Sequence, residues 1–402
     1  MATSPHSPSL TDSSPVCIDR GDLQQLLVAL AGRGYEIIGP TMRDGAIVCG
    51  PIQDVAELPA GWTDVQEPGA YRLQRRDDDA LFGYNLGQQG WRRVLRPPLS
   101  QLWQAERVDG GFRILQQAWE APKRALIGVR PCELAAILVQ DRVLLGGPFV
   151  DPYYQARREA TFIVAVNCGQ AGGTCFCASM GTGPGVDANG AAGSESAYDL
   201  AMTEVIAGED HYLVVTVGTK EGRAVLEDVP HRLATAGEIA AAEAIVAETA
   251  QHMGRHLETE GLREIFYRNL EHPYWNEVAK RCLTCGNCTL VCPTCFCVTI
   301  EDVTDPTGQH AERWRKDDSC FSIEFSHIYG GSVRASPGAR YRQWISHKLG
   351  TWVDQFGVMG CVGCGRCITW CPVGIDITAE ADAMRRADAA AASPRPAAQA
   401  AG

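Results

Sequence analysis

The sequence predicts an α+β chain, with an N-terminal α/β domain followed by a smaller, mainly helical domain. Three observations carry this. Short apolar runs of strand character are interspersed with helical patterns up to about residue 218. An alanine-rich helical stretch then runs from Ala236 to about His256 and reads as the connection between domains. Beyond it, residues 282–293 (CLTCGNCTLVCP) and 361–372 (CVGCGRCITWCP) repeat one pattern, C-x2-C-x2-C-x3-C-P. The 68 residues between Cys292 and Cys361 include helical patterns. The predicted division is a disordered segment at 1–16, an α/β domain at 17–250, a helical domain at 251–380 and a disordered tail at 381–402, with the domain boundary falling between about 236 and 260.

The elements follow in order. Residues 1–16 are rich in Ser, Pro and Thr and bury too little to fold. Asp19 is placed to cap a helix from about Leu23 to Ala31, with Leu26, Leu27 and Leu30 on its apolar face. YEIIGP (35–40) and GAIVCG (45–50) read as strands around a polar turn, and YRLQRR (71–76) and LFGYNLG (81–87) as further strands. Pro97 and Pro98 break WRRVLRPPLSQLW (91–103) into a loop with an extended stretch. Its arginines are expected on a solvated face. RALIGV (124–129) is a strand, and Pro131 suits the first turn of a helix carrying Leu134, Ile137 and Leu138. TFIVAVN (161–167) runs into the glycine-rich CGQAGGTCFCASMGTGPG (168–185). GTGPG lacks a Walker lysine and the full dinucleotide pattern. YDLAMTEV (198–205) and HYLVVTVG (211–218) read as a strand pair. LREIFYRNL (262–270) is helical, RYRQWISHKLGTW (340–352) is an amphipathic helix, and the tail from Ala379 starts helical.

Composition bounds the function. The chain has 402 residues, 36 Lys+Arg against 48 Asp+Glu, and a net charge of −12. That balance argues against binding nucleic acid, where affinity comes from basic side chains on phosphate. No apolar run approaches the ~20 residues of a membrane span. The N-terminus has neither the basic start nor the apolar core of a secretory signal, so the cytoplasm is the expected location. Thiols there stay reduced and free to bind metal. Seventeen cysteines is many for this length.

Eight of them lie in the two runs, and their spacing has a chemical cause. Three cysteines at two-residue gaps can curl around one corner of an iron–sulfur cube, while the fourth points onward and ligates the other cube. Cys282, Cys285, Cys288 and Cys371 are therefore expected to hold one [4Fe–4S] cluster, and Cys361, Cys364, Cys367 and Cys292 a second. Gly286 and Gly365 allow the tight loop, and Pro293 and Pro372 turn the chain away. Zinc sites use separated pairs, so a zinc-stabilised scaffold without redox role is the weaker alternative. The wide gap between the runs favours, by resemblance, the helical ferredoxin arrangement of electron-transfer subunits.

Nine cysteines remain. Cys17 and Cys49 read as packing residues. Cys132 lies at a strand-to-helix junction, where a helix N-terminus stabilises a thiolate. With Cys168, Cys175 and Cys177, at the end of a strand and in the loop that follows, it forms a candidate third Fe–S site. The other reading of these four is buried structural thiols. Cys295, Cys297 and Cys320 read as packing beside a cluster loop, with a rival reading as a further site.

The combination of GVRPCEL, DPYYQARRE, VNC…TCFCASMG, CLTCGNCTLVCPTCFC, DDSCFS and CVGCGRCITWCPVGIDI resembles the beta subunit of cytoplasmic NAD(P)-linked [NiFe] hydrogenases, the sulfhydrogenases. The A subunit of anaerobic sulfite reductase belongs to the same family. The motifs cover roughly residues 120–378. The resemblance implies an electron-transfer subunit that carries no complete active site. Its partners would be a flavin subunit reacting with NAD(P)H and the [NiFe] large and small subunits of a hetero-oligomer. The alternative is the same relay serving an anaerobic sulfite reductase.

Overall fold

The computed structural model describes residues 14–88, 90–116, 121–186 and 197–392. Its largest element is an eight-stranded sheet, in the order Arg232–Leu233, Val16–Asp19, Asp210–Val217, Leu200–Ala207, Thr161–Val166, Arg124–Val129, Glu36–Arg43, Ala46–Pro51. The four strands from Leu200–Ala207 to Glu36–Arg43 are mutually parallel, and the outer ones pair antiparallel. Strands buried on both faces need continuous apolar runs, and RALIGV and TFIVAV supply them: Ala125, Leu126, Ile127, Val129 and Phe162 to Val166 are all buried. Helix Leu23–Gly32 adds Leu23, Leu26, Leu27 and Leu30 to this core.

The helix entry differs from the expected cap. A short 3-10 turn, Arg20–Asp22, precedes the helix, and neither Asp19 nor Asp22 makes a side-chain cap bond. LFGYNLG is likewise not a strand. Its backbone is satisfied by side chains instead of a ladder. Glu204 accepts from Leu81 N at 2.6 Å and Phe82 N at 2.9 Å, the Asp64 carboxylate accepts from Asn85 N, and the Arg130 guanidinium donates to the carbonyls of Phe82 and Tyr84. Apolar composition without a neighbouring strand edge produced a buried loop. Replacing Glu204 by Ala strands two buried amides and the His211 contact at 2.7 Å. It should destabilise the chain by about 1–3 kcal/mol, read by anaerobic denaturant unfolding.

The segment 91–103 also departs from expectation. Arg92–Leu95 is a helical turn and Leu99–Val108 a strand. Arg92 and Arg96 are not solvated: both pair with Asp317, at 3.0 and 3.1 Å, and both donate to the carbonyl of Cys295. A local pattern cannot reveal partners 200 residues away.

The C-terminal region is helical around the cysteine runs but contains a hairpin, Val298–Thr304 with His310–Asp317. This hairpin joins Leu99–Val108 and Gly111–Gln116 in a four-stranded sheet. A second apolar core, with Phe266, Trp275, Phe321, Tyr341, Trp344 and Ile368, lies among the helices. The amphipathic helix 340–352 is observed as Pro337–Ser346, a π-helical stretch His347–Thr351, and Trp352–Phe356. The final helix runs from Ile377 to Ala392, so the tail expected to be disordered from 381 is helical to that point. Residues 393–402 and most of the N-terminal segment lie outside the described residues. Among the described residues no helix is long and apolar enough to cross a membrane.

Candidate iron–sulfur centres

The two C-x2-C-x2-C-x3-C-P runs fold alike. In each, a residue with left-handed backbone follows two after the first cysteine: Thr284 at φ 53° and Gly363 at φ 64°. Its amide donates to that cysteine's sulfur, Thr284 N to Cys282 at 3.4 Å and Gly363 N to Cys361 at 3.5 Å. Gly286 and Gly365, at φ 76° and 73°, then start short helices Asn287–Leu290 and Arg366–Thr369. A threonine in a left-handed conformation carries strain that glycine avoids. The Asn287 side chain donates to Trp370 O at 3.2 Å and links the runs.

Cys282, Cys285, Cys288 and Cys371 line one cavity, which Cys367 of the second run also borders and which Phe321, Tyr341, Trp344 and Ile375 close. Cys285 is exposed, and Leu283 beside it is 60 % exposed. The amide of Ile375 donates to the Cys371 sulfur at 3.3 Å. Cys361, Cys364, Cys367 and Cys292 form the second set: burial pushes the Cys361, Cys364 and Cys367 thiols up, and the charges of their set-mates push them further. Cys292 is pulled down instead, first by a hydrogen bond from the Cys295 thiol and then by Lys348.

Cys132, Cys168, Cys175 and Cys177 also come together. Cys132 and Cys168 follow the ends of the parallel strands Arg124–Val129 and Thr161–Val166. In open α/β sheets, ligands bind at that end. Burial raises all four thiols; the fields of neighbouring cysteines add to it at Cys132, Cys175 and Cys177, while at Cys168 Arg130 opposes it. This set abuts the second one. The Cys175 sulfur lies 3.9 Å from the carbonyl of Cys364, and Phe176 N donates to Gly363 O at 2.8 Å. Thr182 donates to Val362 O at 2.7 Å, and Arg366 pairs with buried Glu133 at 2.5 Å. Of the twelve cysteines Cys285 alone is exposed; the second set is partly buried, and Cys168, Cys175 and Cys177 are buried.

Each set has a buried cation beside it, a feature the sequence reading missed. Arg340 at the first set donates to the carbonyls of Phe321 (2.8 Å) and Ala335 (3.3 Å). Lys348, 3 % exposed and in the π-helical stretch, donates to Thr294 Oγ1 at 3.0 Å and Gly360 O at 3.2 Å, and Thr294 Oγ1 is 3.1 Å from the Cys292 sulfur. Arg130, also 3 % exposed, donates to three carbonyls, and its charge lowers the Cys168 thiol against the effect of burial. Among the described residues none of the three has a carboxylate at salt-bridge distance. A buried charge without a counter-charge is costly. A tetracysteinate iron–sulfur cluster, which is anionic, supplies one, so these surroundings fit such a group. The described residues hold no group of three His, Cys, Asp or Glu able to bind a single metal ion.

Five cysteines belong to none of these sets. Cys17 is buried and Cys49 partly buried within the α/β domain. Cys292 and burial push the Cys295 thiol up, while Cys320 lowers the Cys297 thiol. The family model for a 4Fe-4S dicluster domain matches residues 281–375. The chain is 32 % identical over 270 residues to the sulfhydrogenase 2 subunit beta of Pyrococcus furiosus, covering 65 % of this chain and 74 % of that protein. No solved structure matches.

Proposed function

Because the chain belongs to the family of sulfhydrogenase beta subunits, we propose that it is the iron–sulfur relay between a flavin subunit reacting with NAD(P)H and the [NiFe] subunits of a cytoplasmic hetero-oligomer. Three [4Fe–4S] clusters are assigned: one on Cys282, Cys285, Cys288 and Cys371, one on Cys361, Cys364, Cys367 and Cys292, and one on Cys132, Cys168, Cys175 and Cys177. The observation that carries the third is Arg130: buried, without a carboxylate at salt-bridge distance, and close enough to Cys168 to lower its thiol against the effect of burial. All seventeen cysteines are free, as a reducing compartment requires.

When bound, such clusters pass single electrons with little change in geometry. The chain's own residues set the route and the potentials. Cys285 and Leu283 leave the first centre open to a partner surface. The glycine contacts between 363–365 and 174–177 hold the second and third sets against each other. A cavity of about 500 Å³, lined by Met180, Thr182, Met359 and Cys361 among others, gives an approach on the far side. Amide and thiol donors to Cys282, Cys361, Cys371 and Cys292 favour added negative charge, and so does each buried cation. The identity with a sulfhydrogenase subunit favours this assembly over a sulfite reductase.

Anaerobic purification with iron, acid-labile sulfide and EPR analysis tests the assignment. About twelve irons per chain are expected, and Cys175→Ser should lose about four of them while keeping the signals of the other two clusters. About eight irons, unchanged in Cys175→Ser, removes the third cluster.

A further inference from the structure

We propose that the Tyr341 hydroxyl and the Trp344 indole N–H are hydrogen-bond donors to the sulfurs of the first centre, raising its reduction potential and so setting where it stands in the relay. The proposal rests on the iron–sulfur reading above and adds two tuning residues to it. Neither is a ligand.

The helix Pro337–Ser346 sets them side by side. Ser336 caps it, its Oγ accepting from Ala339 N at 3.1 Å, and Pro337 takes the first position. A spacing of three puts Tyr341 and Trp344 on one face, and their ring centroids lie 5.4 Å apart. Gly338 lets the helix pack closely, since a Cβ there would stand 3.2 Å from Trp275 O. Phe321 packs against both rings, at 6.4 and 6.1 Å. All three aromatic side chains are buried and border the cavity that Cys282, Cys285, Cys288 and Cys371 line.

Both polar atoms are left over. The hydroxyl oxygen of Tyr341 and Nε1 of Trp344 are buried without a hydrogen-bond partner among the described residues. The same core pairs such groups elsewhere: the Trp275 N–H donates to Asn269 O at 2.8 Å, and the Tyr274 hydroxyl to Glu380 Oε2 at 2.5 Å. A buried donor without an acceptor is costly and rare. Other buried polar atoms are unpaired among the described residues, but Tyr341 and Trp344 are the two that border the cavity of the first cysteine set. The sulfurs of an iron–sulfur cluster are the acceptors such a cavity would hold.

Reduction adds one negative charge to a cluster, and a donor pairs more strongly with the more anionic state. Two side-chain donors therefore raise the potential beyond what the amides of Thr284 and Ile375 contribute, which donate to Cys282 and Cys371 at 3.4 and 3.3 Å. Those amides belong to the cysteine loops themselves, and the second set has its own at Gly363. Donors on a separate helix let the first centre be tuned without altering the loop geometry that both runs share.

The test uses the full chain, purified anaerobically with its clusters and titrated electrochemically with EPR detection. The signal lost in Cys285→Ser identifies the first centre. Tyr341→Phe keeps the ring and removes the donor. At the wild-type midpoint its ratio of reduced to oxidised first centre should fall about tenfold, a shift of about 59 mV to more negative potential for one electron. Trp344→Phe should shift the same centre the same way, and 3-fluorotyrosine at position 341, a stronger donor, should shift it upward. Tyr274→Phe removes a hydroxyl from the same core that does not border the cavity, and its midpoint should match wild type. An unchanged midpoint in both the Tyr341→Phe and the fluorotyrosine protein overturns the proposal, as does an equal shift in Tyr274→Phe. If Tyr341→Phe does not load its clusters, the fluorotyrosine protein decides alone. Wild type without cluster signals would sink the relay reading, and this proposal with it; signals with unmoved midpoints overturn the proposal only.

Discussion

Gly365→Ala should unseat the second cysteine run from the α/β domain. Gly365 has φ +73°, and a Cβ there would lie 2.3 Å from the carbonyl oxygen of Thr174 and 2.5 Å from its hydroxyl. Gly363, at φ +64°, offers no relief, since a Cβ on it would stand 2.6 Å from Phe176 O and Cys177 N. These neighbours are mainly backbone and cannot rotate away. The left-handed conformation alone costs about 1–2 kcal/mol for an L-residue, and the collision adds to it. A total of roughly 3 kcal/mol is a large share of typical domain stability. For a cooperative unit of about 150–250 residues it corresponds to a melting temperature lower by about 6–12 °C. Iron should be lost from the second and third centres first, with the exposed first centre keeping its EPR signal longest. Gly357→Ala is the control: φ is +71° but nothing lies within 4 Å. It should show only the conformational cost. Equal melting temperatures for the two variants would mean that the contact with Thr174 is not structural.

Lys348→Gln should lower the midpoint potential of the second centre. The ammonium is buried, and its thiol neighbours Cys292, Cys295 and Cys361 supply the largest opposing fields. Reduction adds one negative charge to a cluster, which a fixed cation favours. At an effective dielectric of about 20 and a separation of roughly 7 Å, one unit charge is worth about 2–3 kcal/mol. For one electron that is on the order of 100 mV. EPR-monitored redox titration reads it. Lys348→Arg keeps the charge and should stay near the wild-type midpoint. An unchanged midpoint in a fully loaded Lys348→Gln protein would assign the lysine to packing alone.

Much of this architecture was legible because it is local. Cysteine spacing needs only a short loop, so the equivalent turns at Thr284 and Gly363 follow from the repeated run. Continuous apolar runs announced the central strands. Cys132, Cys168, Cys175 and Cys177 could be grouped because strand ends of one sheet converge. What stayed hidden depends on distant partners. LFGYNLG has strand composition, but Glu204 and Arg130, far along the chain, satisfy its backbone instead. Arg92 and Arg96 looked like surface charges until Asp317 and Cys295 O were found against them. Lys348 sits in a helical pattern whose period gives no warning of a π turn. A basic residue at an apolar position shortly before a cysteine run was the one signal that could have pointed to it.

The four-stranded sheet has a consequence for how the protein is made. Strands Leu99–Val108 and Gly111–Gln116 leave the ribosome long before their partner His310–Asp317 exists. At ordinary elongation rates of about 5–20 residues per second, that edge waits roughly ten to forty seconds for its neighbour. During that interval the nascent chain carries an open strand edge and unfilled cysteines. Cluster delivery that completes the proposed first and second centres needs Cys361 to Cys371 and must therefore come after most of the polypeptide is synthesised, which makes assembly of this subunit a late event.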